Sequence, residues 1–167
     1  MLYCHYYWAY EPLKSHCVDN PSIQPAYESK LSHEENEYKV ALLTDEDGLP
    51  AFGRIVIPNL IERRIPDDEL PIIQLVLQHQ LSSLRLTYNP TIQVFPPKIW
   101  AYFEEGEPYD INLKITMREG PPFFDPHRTQ GIFEASINER ETLRDFIDGV
   151  DVRVPPAYRF LSLYKVV

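Results

Sequence analysis

Glu37-Tyr-Lys-Val-Ala-Leu-Leu-Thr44, then Asp45-Glu-Asp-Gly48, then Ala51-Phe-Gly-Arg-Ile-Val-Ile57, is the stretch whose reading decides the fold. Two runs of strand-forming residues flank an Asp-Gly pair, which is a hairpin signal. The connection is longer than two residues, so the turn type stays open. Such a hairpin commits at least part of the chain to an antiparallel sheet.

Working towards the N-terminus, residues 11–36 carry three prolines and little periodicity, and they read as a long, partly ordered loop. Before it, Leu2-Tyr-Cys-His-Tyr-Tyr-Trp-Ala9 is dense in aromatic residues and reads as a strand. Alternation puts Leu2, Cys4, Tyr6 and Trp8 on one face and Tyr3, His5 and Tyr7 on the other. Both faces are bulky, so this strand is expected in the middle of a sheet or against a further surface.

After the hairpin, residues 67–86 read as the main helix. Asp67 or Asp68 is expected to cap it, and Pro71 is tolerated because it falls in the first turn. Leu70, Ile73, Leu77, Leu81 and Leu84 recur at helical spacing. Ile72, Leu75 and Val76 widen that stripe, which predicts burial on more than one side. Residues 91–95 read as a short strand ended by Pro96-Pro97, and 98–104 fit strand or helix. Residues 110–117 alternate as a strand. Asn138 with Glu141 approximates a capping box for a helix over 139–148. A last helical pattern follows Pro155-Pro156, with Phe160, Leu163, Tyr164 and Val167 on one face. The expected fold is α+β, a mainly antiparallel sheet packed against one long helix, with two shorter C-terminal helices. Residues 1–154 form one domain in this reading. Residues 155–167 form a C-terminal helix that opens a further helical region.

The 167 residues contain 44% hydrophobic and 25% charged residues, which suits a folded domain with a real core. The net charge of −9 repels phosphate, and no Lys/Arg run supports nucleic-acid binding. No stretch approaches the length of a membrane span and no leader pattern opens the chain, so the cytoplasm is the expected compartment and no membrane partner is expected.

Few residues assemble into chemistry. Cys4-His5 and His16-Cys17 together supply a set of residue types that zinc takes, but strand neighbours point to opposite faces, so no metal site and no cofactor is expected. Cys17 beside His16 is no catalytic dyad, because sequence neighbours rarely face each other. The Asp45-Glu46-Asp47 cluster lacks the alternating ligands and distal Glu of a calcium loop and reads as a solvated turn. His79 sits on the second apolar stripe of the main helix, as a core histidine or a pocket histidine. Asp125-Pro126-His127-Arg128 is the one loop placing acid, imidazole and guanidinium together, which makes Asp125, His127 and Arg128, with His79, the candidate binding residues. Tyr3, Tyr7, Phe160, Leu163, Tyr164 and Val167 are the candidate interface residues, since aromatic rings anchor protein contacts.

The segment Pro156-Ala-Tyr-Arg-Phe-Leu-Ser-Leu-Tyr-Lys-Val-Val167 resembles the opening of the C-terminal helical region in bacterial methylamine-utilisation J-like proteins and related proteins with HEPN-type helical domains. In that group an α+β front module precedes the helices, and some relatives look like RNA-cleaving defence factors. The HEPN catalytic pattern, Arg followed four to six residues later by His, is missing here. The resemblance therefore implies a non-catalytic front module and adds no site residues. The expected function is binding or regulation through a protein partner or self-association. The alternatives are a hydrolase with a site dispersed over His79, Asp125 and His127, and a virus-encoded protein that binds a host factor.

Overall fold

A computed structural model describes residues 1–10, 16–17, 25–45, 47–106, 114–115, 123–138 and 155–158; for 16–17, 95–99, 114–115 and 138 it describes the main chain only. Its centre is a five-stranded antiparallel sheet of β1 (Leu2–Tyr10), β3 (Pro25–His33), β4 (Asn36–Thr44), β5 (Pro50–Leu60) and β6 (Val94–Glu104). The strand order is β3-β4-β5-β1-β6. A separate two-residue pair joins β2 (His16–Cys17) to β7 (Lys114–Ile115). Helix α1 (Leu70–Thr87) follows a short 3-10 turn at Asp67–Glu69, and α2 is Pro126–Asn138. The fold is thus α+β, as the patterning implied.

β1 lies between β5 and β6, and both its faces are buried, which accounts for its two bulky sides. Cys4, Tyr6, Trp8 and Tyr10 enter a core shared with Val40, Leu42, Ile55 and Ile57 of the sheet, Ile72, Ile73, Val76 and Leu84 of α1, and Phe133 and Ile137 of α2. His5, Tyr7 and Ala9 are buried on the opposite face.

Several expectations need correction. The stretch read as a loop over 11–36 contains β3, a full strand paired with β4 from Pro25↔Leu43 to His33↔Asn36. A two-residue turn at Glu34-Glu35 joins them, with Glu34 in the left-handed region at φ 53°. Pro96-Pro97 do not end a strand. β6 runs through them, and the register with β1 shifts there, between Tyr7↔Ile99 and Ala9↔Phe95. Prolines have no N–H for a ladder, so a bulge in an outer strand is where a sheet tolerates them. Neither Asp67 nor Asp68 caps the main helix through its side chain. Glu69 sits at its N-cap position, buried, where it accepts a hydrogen bond from the Tyr38 hydroxyl at 2.5 Å.

The hairpin of β4 and β5 is as expected, and its turn shows why Asp45 is acidic. Its carboxylate accepts the main-chain N–H of Asp47 (3.1 Å) and of Leu49 (2.8 Å), and Gly48 takes φ 75°. Among the C-terminal residues only Pro155–Tyr158 are described, exposed and entering a helical turn. The helix expected over 139–148 and the face of Phe160, Leu163, Tyr164 and Val167 lie outside the described residues.

Candidate binding groove

Asp125-Pro126-His127-Arg128 is the start of α2 and no loop. Asp125 caps the helix by accepting the N–H of Arg128 at 3.1 Å, and Pro126 takes the first helical position, where a missing N–H costs nothing. His127 and Arg128 point to solvent. His79 is buried, and its Nδ1 lies 3.0 Å from the Ser136 hydroxyl, which in turn donates to the carbonyl of Phe133 at 2.7 Å. With the one hydroxyl proton committed to that carbonyl, the imidazole donates from Nδ1. Ser136 is nine positions beyond His127 on α2, about 13 Å along the axis. The structure therefore ties His79 to the far end of the helix that His127 begins. Tyr7, expected at an interface, is buried within the chain, while Tyr3 is half-buried with its hydroxyl 3.5 Å from the Met1 sulfur.

Cys4 and His5 take opposite faces of β1, as strand alternation requires. Burial pushes the Cys4 thiol up to about 12, which leaves it protonated. Burial, with the charges of Arg54 and Lys39 beyond it, pushes the His5 imidazole down to about 4. Tyr38 rises to about 12, by burial and then by the carboxylate of Glu69. These shifts keep each group neutral near pH 7. Among the described residues, no three His, Cys, Asp or Glu side chains converge as metal ligands.

Helix α1 is fastened to the sheet by a buried polar clasp. Trp8 Nε1 donates to the Tyr10 hydroxyl (2.7 Å), which donates to Gln80 Oε1 (2.7 Å). Gln80 Nε2 donates to the carbonyl of Ala41 (3.0 Å) and to the Tyr27 hydroxyl (3.3 Å). Gly53 makes room for it, since a Cβ there would overlap both Trp8 and Gln80. On the opposite face, small Ala41 lets Arg54 of β5 reach across β4 to pair with Glu28 of β3.

Among the described residues, an open strip lies between β3 and α2. Ser29, Lys30, Leu31 and Ser32 form one wall of a groove of about 440 Å³, and Phe133, Glu134 and Ile137 form the other. Leu31, Phe133 and Ile137 are buried core side chains beneath it, and most of the lining that stays exposed is polar. At one end α2 is strapped to the strand. Ser29 donates to Glu134 (2.7 Å), while Gln130 donates to Glu134 (2.9 Å) and to the main-chain carbonyl of Glu28 (3.3 Å). The other end runs towards the Glu34-Glu35 turn.

The register fixes what the strand presents there. His33 and Asn36 close a two-residue turn, so they form a hydrogen-bonded pair, and so do Leu31↔Tyr38 and Ser29↔Val40. Glu28, Lys30 and Ser32 occupy the alternate positions, whose N–H and C=O point away from β4. The bond from Gln130 to the Glu28 carbonyl agrees with that direction. Lys30 and Ser32 thus turn their main-chain groups to the groove side. No site residue named from the sequence lies on this groove. Its signal was the helical spacing of Thr129, Phe133, Ser136 and Ile137, all buried, half of them polar.

No protein-family model, no curated protein and no solved structure matches this chain.

Proposed function

We propose that the chain is a non-catalytic binding module that docks a segment of a partner protein between β3 and α2. The observation that carries this is the groove itself, where the outward main-chain groups of Lys30 and Ser32 lie beside Ser29 and Glu134 above the buried Leu31, Phe133 and Ile137. An outer sheet edge with outward main-chain groups is where an extended segment can dock. A hydrolase would need His79 beside the acid and imidazole of residues 125–127, and His79 instead meets Ser136 at the opposite end of α2. The test selects peptides from a displayed random library on the full chain, then measures them against Glu134→Trp, which puts an indole on the exposed wall of the groove. The reading expects affinity to fall roughly tenfold or more. Selected peptides that bind Glu134→Trp unchanged would place docking elsewhere and remove the proposal.

A further inference from the structure

We infer that the groove takes its occupant as an added strand, antiparallel to β3, and that the occupant is a basic, extended segment with an apolar residue two positions before a Lys or Arg. This rests on the binding-module reading above and specifies its partner class. Strand addition follows from the edge. β3 ends the five-stranded sheet, and the amides of Lys30 and Ser32 lie outward on the same side as the Glu28 carbonyl that Gln130 already occupies. Gln130 therefore does for Glu28 what an incoming strand would do for the next two outward positions.

Charge decides the kind of strand. Lys30 is the cation of the groove, and it is held by Glu37 at 2.9 Å. Glu134 is held by the neutral donors Ser29 and Gln130. Glu34 and Glu35 stand exposed at the open end. Among the described residues, no ion pair neutralises Glu34, Glu35 or Glu134. An acidic occupant would meet carboxylates at both ends, and a basic one complements them. The spacing follows from the strand period. Ser29 and Leu31 share the face beneath α2, with Glu134 beside Ser29. An antiparallel strand that sets an apolar side chain over Leu31 brings its second following residue to Ser29 and Glu134, so that residue carries the cation. A further basic residue two positions earlier falls near Glu34 and Glu35.

The experiment measures fluorescence anisotropy of the full chain with labelled acetyl-Thr-Lys-Thr-Val-Thr-Arg-Thr-amide, and with the same peptide carrying Glu for Lys and Arg. The basic peptide should bind and the acidic one should not. Ser32→Pro and, separately, Lys30→Pro remove one outward amide each without touching the β4 ladder. Each should weaken the basic peptide roughly fivefold or more. Glu134→Gln should weaken it roughly threefold, with the difference fading in 1 M salt. Equal binding of the acidic peptide, no binding of the basic one, or indifference to both prolines would overturn the inference. If both prolines are harmless while Glu134→Trp abolishes binding, the groove docks side chains without strand addition, and the module reading survives alone.

Discussion

At Gly53, in the middle of the sheet, the indole of Trp8, the hydroxyls of Tyr10 and Tyr27 and the amide of Gln80 satisfy one another in the space that a side chain at position 53 would fill. At Lys30–Ser32, on the β3 edge, main-chain groups face outward beside a helix that is bonded to the strand at its Gln130–Glu134 end. Polar groups in the first place have no exchangeable partner, and those in the second have room for one. The difference separates what must stay rigid from what can bind. A buried network that loses one member leaves the others unsatisfied, whereas an edge amide in reach of solvent loses little.

The sharpest break of that contrast is Gly53→Ala. Its Cβ would force Trp8 and Gln80 apart and undo the clasp between α1 and the sheet. The expected cost is about 3 kcal/mol, a fall in Tm of roughly 10 °C. Gln80→Leu, which keeps the volume and orphans the Tyr10 hydroxyl, should cost about 2 kcal/mol. Urea midpoints of the two variants check both, and a Gly53→Ala protein as stable as its parent would mean the clasp is not fixed.

A second prediction uses pH in the same central strand. His5 is held near 4 when folded, against about 6.5 in an unfolded chain. Its folded value is depressed, so it contributes stability that is complete above pH 6.5 and drains away as pH falls towards 4. The loss amounts to about 2–3 kcal/mol. Urea denaturation at pH 7.5 and 4.5 should show a smaller loss for His5→Gln than for the parent, since carboxylate titration is common to both. Equal losses would show that the imidazole protonates freely in the folded chain.

Central and peripheral parts also differed in how far the sequence disclosed them. β1, the β4–β5 hairpin and α1 carry enough apolar residues at their period for pattern to place them, even though His79, Gln80, Ser82 and Ser83 of α1 are buried too. The walls of the groove carry fewer. On β3 the inward row is Tyr27, Ser29 and Leu31, and Ser29 is buried through its bond to Glu134, so the alternation is broken by a polar residue that only a tertiary partner explains. On α2, Thr129 and Ser136 fill half the buried stripe, bonded to the Asp125 carbonyl and to the Phe133 carbonyl. Sequence reading weighs apolar periodicity, and a stripe made inward-facing by hydrogen bonds escapes it. Asp125 invites a chemical reading beside His127 and Arg128, while its work, with Pro126, is to begin a helix. Pro96-Pro97 misled in the other direction, since a proline that stops a central strand is accommodated by a bulge in an outer one.

The smallest expected effect is the most discriminating. Ser32 and Leu31 are neighbours on β3, but their amides point to opposite sides. Leu31 is bonded into β4 opposite Tyr38, and Ser32 faces out. Leu31→Pro removes a ladder bond and a core side chain together, and should cost about 3 kcal/mol or more. Ser32→Pro removes an N–H that the sheet does not use, at an outer-strand position where proline fits, and should cost less than about 1 kcal/mol. Leu31→Ala, which loses the core side chain but keeps the amide, separates the two losses, and the part of the gap between the urea midpoints that Leu31→Ala does not reproduce arises from the direction of the amides. If Ser32→Pro were as damaging as Leu31→Pro, the Ser32 amide would be spent inside the fold, and the edge could not offer it to a partner. If the gap is as large as expected, β3 holds its stability on one side and its binding capacity on the other, in alternate residues of a single strand.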